Sequence, residues 1–142
     1  MNPVEKAAAA DAAKGRVEVG DKGAILLMLY NAAIELLEEA KSSLERGEIS
    51  EKGIHISQAH AILSELLASL DFEIGGELAK NLESLYLFML DQLAAAHMDN
   101  DPKPLDVVLS LIRPLYVSWE GAIAAERQRI AQEYEQRGER AA

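Results

Sequence analysis

An all-α fold, an antiparallel four-helix bundle, is what this sequence predicts, and three observations carry the prediction. Ala, Leu, Glu and Ile dominate while aromatics make up only 5%, a mix that favours helix over sheet. Apolar residues recur at spacings of three and four through four segments of roughly twenty residues, and no stretch alternates with the period of a strand. The links between those segments are short and hold the Gly, Asp and Pro residues that stop helices. With 142 residues the chain fits one domain, and no repeat of solenoid length is present.

Residues 1–20 are Ala-rich and are interrupted by Gly15 and Gly20, so they are expected to form a flexible N-terminal arm. Residues 21–125 are expected to form the bundle. Asp21 stands at an N-cap position, and the first helix should run to about Glu45 and close at Gly47. Its core stripe reads Leu26, Leu29, Tyr30, Ala33, Leu37, Ala40 and Leu44. Ser50 opens the second helix, firm only after Gly53 and ending near Leu70, with Ile56, Ala59, Leu63, Leu66 and Leu70 inward.

Asp71–Gly76 breaks the pattern, and at least one of Gly75 and Gly76 should hold a backbone that disfavours a Cβ. The third helix is expected over about Glu77–Met98, with Leu78, Leu82, Leu85, Met89, Leu93 and Ala96 inward. Asp99–Pro102 reads as a turn. The fourth helix then carries Leu105, Val108, Leu109, Ile112, Tyr116, Trp119 and Ile123, with a kink expected at Pro114. Residues 126–142 form a charged C-terminal extension whose arginines alternate with glutamates, the pattern of a solvated helix face.

Charge and composition exclude several functions. The net charge is −10, and residues 23–98 alone carry twelve acids against four bases. A body this acidic repels phosphate backbones, so no nucleic-acid partner is expected. There is no cysteine, hence no disulfide framework and no thiolate site, and a reducing cytoplasmic setting is expected. No apolar run reaches the ~20 residues that a membrane span needs, so no membrane insertion is expected. His55 and His60 lie about 140° apart on a helix and are poorly placed to share a metal. Glu-x-x-His, Gly-x-Ser-x-Gly and phosphate-loop motifs are missing, so no enzyme, metal or cofactor is expected.

What remains is surplus apolar surface. Leu87 falls nearly opposite the assigned stripe of the third helix, and Tyr86 and Leu90 flank it. Val107 and Leu111 lie off the stripe of the fourth helix, and Leu27 and Met28 off that of the first. These seven residues are the candidate partner-binding positions, since a long apolar groove is a recurrent way to receive helices.

Two segments carry a family resemblance. Ile25–Ile34, reading ILLMLYNAAI, resembles the opening helix of the FliS flagellar secretion chaperones. Ser69–Leu82, reading SLDFEIGGELAKNL, resembles that family's most specific segment, and the likeness covers about residues 17–123. The resemblance implies a cytoplasmic export chaperone that binds the C-terminal region of flagellin, prevents premature polymerisation and presents flagellin to the flagellar export gate. The family usually has a tyrosine-bearing arm, whereas this chain has no Tyr before Tyr30, and Asn31 stands where the family has Asp. Two alternatives stay open: a helical adaptor for another flagellar export client, and a bundle whose outer strip pairs with itself in a homodimer.

Overall fold

The computed structural model describes residues 21–141, so the expected arm, residues 1–20, lies outside the described residues. Four helices and no strand occur among the described residues: α1 Lys22–Glu45, α2 Ile49–Ala68, α3 Phe72–Asp99 and α4 Lys103–Ala141. Three-residue links make sequence neighbours antiparallel. Each helix packs on the one before and the one after it, and α4 closes the ring on α1.

The termini explain where each helix stops. Gly47, at φ +72°, ends α1 in the left-handed conformation that a side chain disfavours. Asp21 precedes α1 as expected but does not cap it. Its carboxylate instead accepts a hydrogen bond from Arg127 of α4 at 2.8 Å. α2 begins at Ile49 and runs unbroken through Gly53.

The start of α3 differs most from expectation. Asp71 caps a helical turn that begins at Phe72, accepting from the backbone N–H groups of Glu73 (3.0 Å) and Ile74 (3.1 Å). Gly76 then leaves helical geometry at φ +50°, ψ −124°, and the helix resumes. The expected glycine conformation is therefore present at Gly76. At Gly75 the constraint is space, because a Cβ would stand 2.8 Å from that of Ala79. α3 ends at Asn100, the one non-glycine described residue with positive φ. α4 opens on an Asp101 cap (3.0 Å to the Lys103 N–H) and continues through Pro114 to Ala141, so the extension continues α4.

The core is the inner stripe of all four helices, and its centre carries two tyrosines. Tyr30 of α1 and Tyr86 of α3 are buried and joined hydroxyl to hydroxyl. Burial raises the pKa of both phenols above the ordinary tyrosine value, and the hydrogen bond to Tyr30 raises that of Tyr86 further. One buried charge was not expected. Lys52 of α2 is 2% exposed and donates to the His97 carbonyl (3.0 Å) and to Asn100 Oδ1 (2.7 Å). A cation at the end of α3 satisfies carbonyls that the helix leaves unpaired.

Candidate functional site

Tyr86 corrects the assigned phase of α3. The buried stripe is Ala79, Leu82, Tyr86, Met89, Leu93 and Ala96, whereas Leu78 is exposed and Leu85 only half-buried. Tyr86, expected at the partner surface, is a core residue 2% exposed and cannot meet a partner in this conformation. Its large ring outcompetes Leu85 for the interior because the Tyr30 hydroxyl satisfies its polar end.

The other six candidates fall on three flanks and one outer face instead of along one groove. Helical phase and cross-helix contacts locate them. On α4, Asp106 and Arg113 pair with Lys41 and Glu38 of α1, which fixes the flank turned to α1. Val107 and Leu111 occupy the other flank, toward α3, at about 100° per residue. On α3 the flank carrying His97 meets α2 through Lys52, and Leu87 and Leu90 share it. Leu27 shares the α4-facing flank of α1 with Glu38 and Lys41, and Met28 lies on its outer face. Leu87 (48%) and Val107 (38%) are exposed, while Leu27, Met28, Leu90 and Leu111 are half-buried. Exposed Phe88, not singled out in the sequence, lies on the α3 flank turned to α4 and completes an apolar band with Val107 and Leu111.

A deeper feature sits at one end of the bundle. A cavity of about 240 Å³ opens where α1, α2 and α4 converge on the start of α3. Leu26, Leu66, Tyr86 and Trp119 contribute one side of it. All the other lining residues lie within Ser69–Leu82: Ser69, Leu70, Asp71, Ile74, Gly75, Leu78, Ala79 and Leu82. A second hollow of about 320 Å³ shares Leu26, Leu66 and Ser69 with it and continues along α1 past Ile25 and Leu29.

The local backbone builds this mouth. The Asp71 cap and the Gly76 break hold one short turn across the bundle end, leaving Ile74 88% and Leu78 57% exposed at the rim, with Phe72 also exposed. Large aliphatic side chains left in water around a hollow mark a surface that gains by being covered. The signal for it was the Ser69–Leu82 segment itself. Reading Gly75-Gly76 only as a turn overlooked that the turn displays Ile74.

Other chemistry finds no footing among the described residues. No group of three His, Asp or Glu side chains is placed to hold a metal ion. α4 is long and apolar enough for a membrane span by composition. However, Leu105, Val108, Leu109 and Ile112 spend that apolarity on the core, and Asp106, Arg113 and Glu120 interrupt it.

Comparison with known proteins agrees with this picture. The family model described as "Flagellar protein FliS" matches residues 5–126. The flagellar secretion chaperone FliS of Vibrio cholerae serotype O1 is 40% identical over 96 residues, covering 68% of this chain and 71% of that protein. The flagellar secretion chaperone FliSB of Pseudomonas aeruginosa is 39% identical over 97 residues, covering 68% and 77%. A crystal structure of a bacterial flagellar chaperone superposes with a TM-score of 0.68 at 17% identity, covering 73% of this chain and 85% of that one, and so shares the fold.

Proposed function

The chain belongs to the flagellar protein FliS family, a family of chaperones and not of enzymes, and on that footing we propose that it holds the C-terminal region of flagellin in the cytoplasm. Bound there, the flagellin terminus is kept from polymerising early and is delivered to the flagellar export apparatus. The observation that carries the reading is the bundle-end cavity, lined over most of its wall by Ser69–Leu82 and rimmed by exposed Ile74 and Leu78.

The physical logic is coupled ordering. A flagellin terminus outside the filament is a chain with amphipathic helical sequence and no partner for its apolar face. Cavity, adjoining hollow and flanks supply that partner. Each Leu- or Ile-sized side chain removed from water contributes about 1.5–3 kcal/mol, against about 1–2 kcal/mol for each residue ordered. Several such anchors are therefore needed, which favours a client that wraps several surfaces over one inserted at a single point.

Co-elution with flagellin fragments tests the reading. A fragment containing the C-terminal helices should form a complex of fixed mass, and a fragment lacking them should not. Binding should persist at high salt, because salt screens charge and leaves apolar burial in place. Complex formation by the shortened fragment would redirect the proposal to another client segment. A free chain of twice the monomer mass that ignores both fragments would favour self-pairing.

A further inference from the structure

Beyond the client surface, α4 carries an apolar stripe with nothing opposite it among the described residues. Trp119, Ile123, Ile130 and Tyr134 follow one another at intervals of four and seven, so they share one face with the core positions Leu105 and Ile112. Within the bundle that face packs on its neighbours. Ile123 touches the backbone of Gly23, close enough that a Cβ there would stand 3.0 Å from Ile123 Cγ2. At Asp21 the α1 side ends while α4 runs on, leaving Ile130 50% and Tyr134 76% exposed. The family match stops at residue 126, so this continuation is an addition of this chain.

We propose that residues 1–20 of the same chain cover this stripe. The register across the α1–α4 seam points to them: Asp21 pairs with Arg127, Glu38 with Arg113 and Lys41 with Asp106. Carried back beyond Asp21, it brings Val17 level with Ile130 and Ala13 level with Tyr134. The segment offers six alanines together with Val4, Val17 and Val19, small and apolar residues suited to packing against a helix that bears one Ile and one Tyr. It enters beside Arg127 and is tethered there, so its effective concentration at the stripe is of millimolar order, above that of a second chain in dilute solution. Its charges sum to zero through Asp21 and Lys22, so the acidic body does not expel it. The proposal is independent of what the bundle end binds.

Hydrogen exchange on the full chain tests it. Amides within residues 10–19 should exchange at least tenfold more slowly than in an unstructured peptide. Ile130→Asp with Tyr134→Asp should abolish that protection, whereas Gln128→Asp, on the opposite side of α4, should keep it. Because the chain has no cysteine, Val17→Cys with Ile130→Cys should form one disulfide on mild oxidation. Unprotected amides, protection that survives the double substitution, or failure to form the disulfide would each overturn the proposal. Protection that fades on dilution would assign the stripe to a second copy, and would overturn it as well.

Discussion

Replacing Gly76 by Ala isolates a single physical cost. The residue sits at φ +50°, ψ −124°, and a Cβ there would meet nothing within 4 Å. Steric clash with the rest of the protein is therefore absent, and the penalty is that of a backbone region essentially reserved for glycine, about 1–3 kcal/mol. For a folded body of some 120 residues the unfolding entropy is about 0.25 kcal/mol per degree, so the melting temperature should fall by about 4–12 °C. Gly121→Ala is the matched control. It is helical, also meets nothing within 4 Å, and should raise stability by about 0.5–1 kcal/mol. Differential scanning calorimetry of both variants reads the two signs side by side. An unchanged or raised melting temperature for Gly76→Ala would refute the claim that this bond geometry is imposed by the fold. It would equally undercut the account of how Ile74 comes to stand at the rim.

Four further outcomes follow from the same geometry. Tyr86→Phe removes the buried hydroxyl pair and should cost about 1 kcal/mol in denaturant titration, since Tyr30 loses its partner. Both phenols keep their protons at a pH where the unfolded chain loses them, so stability should be full below about pH 10 and fall as pH rises past it; ultraviolet titration should show exposed Tyr134 ionising first. Lys52→Ala should destabilise by about 2–4 kcal/mol, through a vacated stem and two orphaned acceptors at the end of α3, with faster amide exchange localised near Asn100. Leu87→Asp and Leu111→Asp, made separately, should leave the melt nearly unchanged, and in a flagellin pull-down each reports on its own flank, α2–α3 for the first and α3–α4 for the second.

The parts of the fold legible in the sequence were those fixed by local chemistry. Gly47, Asp71, Gly76 and the Asp101–Pro102 turn end or begin helices through their own backbone preferences, which need no partner to be seen. The stripes of α1, α2 and α4 were legible for the same reason. The phase of α3 was misread by one residue, because Leu78 and Leu85 are better hydrophobes than Ala79 and Tyr86. What decides it is the Tyr30 hydroxyl, which lies 56 positions away in the chain. Lys52 was illegible likewise, since its acceptors belong to another helix. Asp21 looked like a cap until Arg127, 106 positions on, claimed its carboxylate. The bundle-end cavity needed four helix ends brought together. The sequence marked the segment lining most of it but not the hollow.

The α1–α4 seam has a kinetic consequence. Three of the four helix–helix junctions join neighbours in the chain across links of three residues, contacts whose loop-closure cost is small. Only this seam must bring together segments some eighty residues apart or more, and its ion pairs, Lys41–Asp106, Glu38–Arg113 and Asp21–Arg127, are solvated. Such pairs add little once formed, so the seam rests on apolar contact. The expected order is a rapidly assembled α1–α2–α3 platform on which α4 docks last, in the microsecond-to-millisecond range of helical bundles. By the same reasoning α4 is the first helix to lift away. A protein that meets its client as that client is being synthesised would be folded before the client's own chain is finished.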